Sequence, residues 1–304
     1  MGLIARGILN LLWKKVAKMD AKRLSGQTPT PGIAGDRDIK YMDDGDPMHL
    51  LDVYYPESAN GLLPVIFDVH GGGWVYGNKE LNENYCLSLA SRGFAVVNIN
   101  YRLAPRTNLA GQIADVFAAL RWLGDNGSLH HCDVGNVFLT GDSAGGHLAS
   151  LAAAVSVEPA LLSLYMVKKL PFAIKAVAAT HIAMDITEAP TQHKLIMKEI
   201  QRMLFGKRLE SNLTLFKATV YTAAKPATYP PVLVATSEAD PLYKHSARLI
   251  EYLEAKGFRY ESAIAEPDPE SGHVFNVAYP DRYDGIKMND RIAAFFKKHV
   301  EARQ

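Results

Sequence analysis

An acyl group moves onto a serine only when three needs are met. The hydroxyl must be lifted clear of its surroundings, a base must take its proton, and fixed donors must hold the oxyanion that forms. Gly141-Asp142-Ser143-Ala144-Gly145 answers the first need. It is a G-x-S-x-G pattern, in which a sharp turn between a strand and a helix raises the serine above a sheet. Residues 136–140 (NVFLT) run apolar into the turn, and residues 144–155 (AGGHLASLAAAV) read as a helix leaving it. Gly141 and Gly145 leave room across so tight a bend. The new helix aims its first N–H groups at the reacting centre. His70-Gly71-Gly72-Gly73-Trp74 answers the third need, because a glycine run lets backbone N–H groups reach an oxyanion unobstructed. No Gly-Lys-Ser/Thr follows it, so it is not a phosphate loop.

These pieces need a sheet to position them. Residues 64–70, 94–101, 136–140, 174–180 and 232–236 are short apolar runs bounded by turn signals. Such runs suit strands buried on both faces. Helical patterns lie between or after them, at 81–92, 113–126, 144–155, 246–256 and about 284–302. The alternation predicts an α/β fold with one doubly wound, mostly parallel sheet. Ahead of it, 37–43 and 48–55 read as two strands joined by Asp44-Gly45-Asp46-Pro47, and 25–35 reads as a loop. Residues 185–228 break the rhythm, with no strand and with Met197, Ile200, Met203 and Leu204 at helical spacing. That segment is either a lid or an ordinary surface helix.

The order HGGGW, NYRLAP (Asn100 to Pro105) and GDSAGG (Gly141 to Gly146) resembles the hormone-sensitive-lipase-like carboxylesterases of the α/β-hydrolase superfamily. The likeness runs from about residue 50 to the end. It implies an α/β-hydrolase fold spanning 1–304 as one domain, with a small helical cap from about 1–35 and 185–228. It implies a Ser–Asp–His triad in that chain order, with Ser143 as nucleophile, and an oxyanion hole from Gly72, Gly73 and the N–H of Ala144. The family's acid usually precedes Pro-Leu, which selects Asp240 before Pro241-Leu242, with Glu238 as the alternative. The base is expected at His273, in Gly272-His273-Val274-Phe275. Trp74 and Asp142 are expected to bind substrate, unless Asp142 is a solvated rim residue. The chain departs from the family at Arg106, where Glu is usual, and in the stiff acidic loop 266–271.

The remaining composition excludes more than it adds. A net charge of +1 over 304 residues gives no electrostatic reason to expect nucleic acid. With 48% hydrophobic and 21% charged residues the chain has the make-up of a globular protein with a large core. Two cysteines, Cys86 and Cys132, point to a reduced, cytoplasmic protein. His130-His131-Cys132-Asp133 is a poor metal site, because adjacent side chains diverge and no spaced pair completes a tetrahedron. Residues 1–19 form an amphipathic pattern interrupted by Arg6, Lys14, Lys15 and Lys18. It is expected to pack on its own domain, with contact to a membrane surface as the alternative. The chemistry expected is hydrolysis of a small, short-acyl ester without cofactor or metal. An amidase such as a formamidase would use the same machinery. A non-catalytic binding relative is disfavoured because all three triad positions are filled.

Overall fold

The computed structural model describes residues 2–184, 194–206 and 224–302. A helix α1 (Gly2–Ser25) precedes two antiparallel strands, β1 (Ile33–Lys40) and β2 (Leu50–Pro56). The alternating part follows as β3 (Leu63–Val69), α2 (Glu83–Ala90), β4 (Ala95–Ile99), α3 (Leu109–Asn126), β5 (Cys132–Asp142), α4 (Ala144–Val157), α5 (Pro159–Tyr165) and β6 (Ile174–Thr180). Then come α6 (Lys194–Phe205), β7 (Val232–Ser237), α7 (Tyr243–Lys256), β8 (Tyr260–Ala265), the short α8 (Phe275–Ala278) and α9 (Tyr283–Lys297).

The strands form one sheet in the order β1-β2-β4-β3-β5-β6-β7-β8. β2 runs antiparallel to β1 and β4, and every later neighbour is parallel. Side chains alternate across each central strand. Val65, Phe67 and Val69 of β3 face one core with Val97, Leu139, Val177 and Val234, while Ile66, Phe138 and Leu233 face the other. Period-2 alternation with apolar residues on both sides is what helices covering both faces require. α3 and α4 cover the first face, and α2 and α9 cover the second.

α4 is apolar nearly all round because it is buried nearly all round. Leu148 and Leu151 are fully buried, and each stabilises the fold by about 1.5–3 kcal/mol. α3 starts where the Asn108 side chain accepts the Gly111 N–H, and α7 stops at Gly257 in the left-handed region. No single helix among the described residues is long and apolar enough to cross a membrane.

Several elements differ from the sequence reading. α3, β5 and α7 begin at Leu109, Cys132 and Tyr243, ahead of the expected 113, 136 and 246, and α5 was not expected. β1 begins at Ile33, so residues 33–35 belong to the sheet, and the part of 1–35 lying over the molecule is α1. β8 was not expected, because as an edge strand it buries only Ala263 fully and its pattern reads as polar. The last helix ends at Lys297, ahead of the expected 302. Of the cap segment 185–228, α6 and residues 224–228 are described, while 185–193 and 207–223 lie outside the described residues.

Candidate active site

The loops that matter leave the C-terminal ends of the parallel strands, where crevices form in open α/β sheets. β5 runs directly into Ser143, whose φ of 52° and ψ of −115° make it the strained corner between β5 and α4. The strain is held on both sides. Ser143 donates its N–H to Thr180 O at 2.9 Å, and its carbonyl accepts from Ala183 and His147. A side chain at Gly145 would collide with the carbonyl oxygen of Val69, so only glycine lets α4 start so close to β3.

His273 comes from the loop between β8 and α8. Its Nε2 lies 3.1 Å from Ser143 Oγ, and its Nδ1 lies 2.9 Å from Asp240 Oδ1. Asp240 follows β7, and its Oδ1 also accepts the Leu242 N–H at 2.7 Å. Glu238, the alternative acid, is exposed at the end of β7. Burial pushes the Asp240 carboxyl up, but hydrogen bonds from His181 and His273 outweigh it and hold the group well below the usual carboxylate range. Asp240 is therefore an anion that only accepts.

The glycine loop lies opposite. Gly72 has φ 108° and Gly73 has φ 61°, and a Cβ on Gly72 would collide with the Tyr76 carbonyl oxygen. Both border one cavity together with Ser143 and His273. Ala144 is the first residue of α4, where an N–H has no partner within the helix. Gly72 and Gly73 line the cavity onto which Ser143 opens, and Ala144 follows the serine, so their N–H groups are the candidate donors for an oxyanion.

The cavity is about 410 Å³. α1 supplies Leu12, Trp13 and Val16 to its wall, and α6 supplies Ile196, Met197 and Ile200. Trp13 stacks on Tyr76 with ring centroids 4.7 Å apart, which ties α1 to the glycine loop. An apolar chamber with a few converging polar groups at one end suits a small, largely apolar ligand.

The BD-FAE family model matches residues 51–253. The chain belongs to this family. It is 31% identical to the esterase LipQ of Mycobacterium tuberculosis over 97% of this chain and 73% of that protein. It is 30% identical to the carboxylesterase NlhH of the same organism, over 73% of this chain and 70% of that one. The crystal structure of esterase B from Lactobacillus rhamnosis superposes with a TM-score of 0.92 at 30% identity, covering 98% of this chain and 95% of the other. This BD-FAE protein is a carboxylic ester hydrolase of the hormone-sensitive-lipase-like α/β-hydrolases.

Both expected substrate contacts of the esterase, Asp142 and Trp74, line the cavity and are also tied to the protein. Asp142 is 6% exposed, and its Oδ1 accepts the Gly71 N–H and the Asn82 amide, each at 2.9 Å. It holds the glycine loop against the elbow and is no solvated rim residue. Trp74 is 2% exposed, and its Nε1 donates to His147 Nδ1 at 3.4 Å. Burial pushes His147 down to about 3, so that ring is neutral and accepts. The Trp74 carbonyl receives the Gln112 amide, which anchors the far end of the loop.

The metal-like run comes apart. His130 turns to Asp36, His131 to the Gly61 carbonyl, and the Cys132 thiol to the His130 carbonyl. Arg106 pairs with Asp46 on the surface.

Sequence reasoning missed His181, which follows β6 and meets Asp240 Oδ2 at 2.5 Å. Its position at the end of the strand beside β7 was the available signal. Among the described residues, His181, Asp240 and His273 form the one group with ligand atoms close enough to share an ion. At 2.5 Å the His181 and Asp240 atoms stand at hydrogen-bond distance, closer together than two ligands each about 2.0 Å from a tetrahedral ion.

Proposed function

We propose that this enzyme hydrolyses small, short-acyl carboxylic esters through an acyl-enzyme on Ser143. The observation that carries the reading is the continuous line Ser143 Oγ, His273 Nε2, His273 Nδ1, Asp240 Oδ1, with gaps of 3.1 Å and 2.9 Å at the two hydrogen bonds. His273 takes the hydroxyl proton as Oγ attacks the ester carbonyl. The N–H groups of Gly72, Gly73 and Ala144 receive the developing oxyanion. His273 then protonates the leaving alcohol, and the acyl group stays on Ser143. Water attacks that ester in turn, with His273 again as base, and the acid leaves. Asp240 keeps the proton on His273 Nδ1, so Nε2 faces the serine as an acceptor.

The short-acyl preference is supported by the size of the cavity and by α1 and α6, whose apolar residues form part of its wall. One structure of the Lactobacillus esterase B has that enzyme inhibited by a tributyrin phosphonate, a compound with four-carbon acyl chains. The test is a panel of chromogenic esters from acetyl to dodecanoyl, with matched amides alongside. The expected result is a maximum of kcat/KM at short chains, without an interface. Activity confined to emulsified long-chain esters, or amide turnover above ester turnover, would replace this reading.

A further inference from the structure

His181 has no part in the chemistry above, yet it touches the triad acid more closely than the base does. It is the first residue after β6, and its N–H donates to Ala235 O of β7 at 2.7 Å, which fixes it beside the strand that leads to Asp240. Its φ of 49° lies in the left-handed region, which residues with side chains rarely adopt. The imidazole is fully buried, with Nδ1 at 2.5 Å from Asp240 Oδ2.

We propose that His181 is a positioning residue of the triad, whose Nδ1–H locks the Asp240 carboxylate in the orientation that receives His273 and draws charge from it. The proposal rests on the Ser143–His273–Asp240 reading. Asp240 is acceptor-only, so the proton between the two groups belongs to His181 Nδ1. Burial pushes His181 down, and the hydrogen bond it donates to Asp240 restores only part of that, so the ring is neutral with one N–H. Its Nε2 is buried with no hydrogen-bond partner among the described residues. Leaving a lone pair unpaired there, and placing the single N–H on a carboxylate, is the less costly of the two tautomers. The charged or titratable groups facing the ring are Asp240, His273 and Asp142. The His273 and Phe275 rings meet it edge-on at 5.8 Å and 5.3 Å and fix its plane.

With His181 present, both carboxylate oxygens are held: Oδ1 by Leu242 N–H, Oδ2 by His181. Rotation about the Asp240 side chain would break one of these bonds. Without His181, Oδ2 keeps only the 3.1 Å contact to His273, and the carboxylate is held chiefly through Oδ1, about which it can swing. Its charge would also fall more heavily on His273, which would hold the imidazolium to higher pH and slow proton return to the leaving group.

The test compares His181→Leu and His181→Asn in the full chain, on a soluble short-chain ester, with melting temperature measured beside kcat, KM and the pH profile. The leucine variant is expected to lose about 10–100-fold in kcat, as removal of an orienting hydrogen bond does at other sites. KM should stay near wild type, and the acidic limb of kcat/KM should move up by on the order of one pH unit. Asparagine places an amide nitrogen close to Nδ1 and should restore most of kcat and the limb. Wild-type kinetics in the leucine variant, or losses in both variants that track melting temperature with an unmoved limb, would overturn the proposal. A second measurement needs no variant: ¹⁵N-histidine NMR of the wild type should find His181 neutral and protonated on Nδ1, and an Nε2–H tautomer would refute it. Ser143→Ala, run in parallel, separates the two failures. If it keeps wild-type turnover the triad itself is wrong; if it is inactive while His181 variants are normal, only the role of His181 is wrong.

Discussion

Asp142 accepts the Gly71 N–H at 2.9 Å, and through that bond the residue before Ser143 fixes the first glycine of the HGGGW loop. The elbow and the loop are thus one unit, with Asn82 closing it by donating to both Asp142 and Asp68. A donor array works only if it is in place before the oxyanion forms.

Asp142→Ala removes the only side chain holding Gly71 in this way among the described residues, so the loop should loosen. Displacement of catalytic donors by about 1 Å costs up to about 10²-fold. The expected loss lies in kcat, with KM little changed. Asp142→Asn keeps an oxygen for Gly71 and should stay near wild type. Steady-state kinetics on a soluble ester decide the matter. A loss confined to KM would return Asp142 to the substrate contact that its place in the motif suggests.

Asp240→Asn and Glu238→Gln are a matched pair, since each removes one charge at nearly constant shape. Asp240 receives His273 and Glu238 is exposed. Asp240→Asn should therefore lower kcat by about 10⁴-fold, the cost of presenting the wrong imidazole tautomer in a serine triad. Glu238→Gln should change it little. An inactive Glu238 variant beside an active Asp240 variant would transfer the acid to Glu238.

The sequence made the central strands legible because they are buried on both faces and read as unbroken apolar runs, as in residues 232–236. β8 was not legible, since an edge strand with Glu261 and Ile264 exposed and Ser262 only half-buried carries no such run. Ser143, Asp240 and His273 were readable from motifs that sit at strand ends. His181 was not, because a single histidine after IKAVAAT gains its meaning only from the neighbouring strand in the sheet, 59 residues away in sequence. The protein partners of Trp74 and Asp142 were not legible for a related reason. A motif says that a residue lies near the nucleophile, but burial and partners decide whether it faces the substrate or braces the loop.

Asp68 gives the fold a pH dependence with a defined sign. It is fully buried on β3, and burial first, then the nearby Asp142 charge, push its carboxyl up to about 8. An unfolded Asp titrates near 3.9. Between these values the folded state binds the extra proton, so the contribution of Asp68 to stability is full below about 4 and is lost as pH rises toward 8. Asp68→Asn removes the titration while keeping a polar side chain for Asn82. Its melting temperature relative to wild type should rise between pH 5 and about 8, by at least a few degrees, and then level off. A difference that is constant with pH, or that falls as pH rises, would show Asp68 to be ionised in the folded protein.

The last prediction concerns α1, which lines the cavity and also carries exposed Leu11, Met19 and Lys15 on its outer side. Two roles compete for it, a wall over the active site and a foot on a membrane surface. The inner side favours the wall: Leu9 is 2% exposed, Trp13 stacks on Tyr76, and Arg23 donates to the Ala278 carbonyl near the base loop. Trp13→Ala should then raise KM for short esters by roughly tenfold, the equivalent of about 1.4 kcal/mol of lost contact. It should also shift the preferred acyl chain to greater length, because the ring's volume becomes available to substrate. Deleting residues 1–25 should do the same more strongly and lower the melting temperature, since the apolar residues beneath α1 lose their cover. Kinetics across an ester series and co-sedimentation with anionic vesicles, on both variants, separate the roles. If the truncated enzyme kept its KM, chain-length preference and melting temperature but no longer sedimented with vesicles, α1 would be an anchor and the cavity wall an incidental consequence of where it rests.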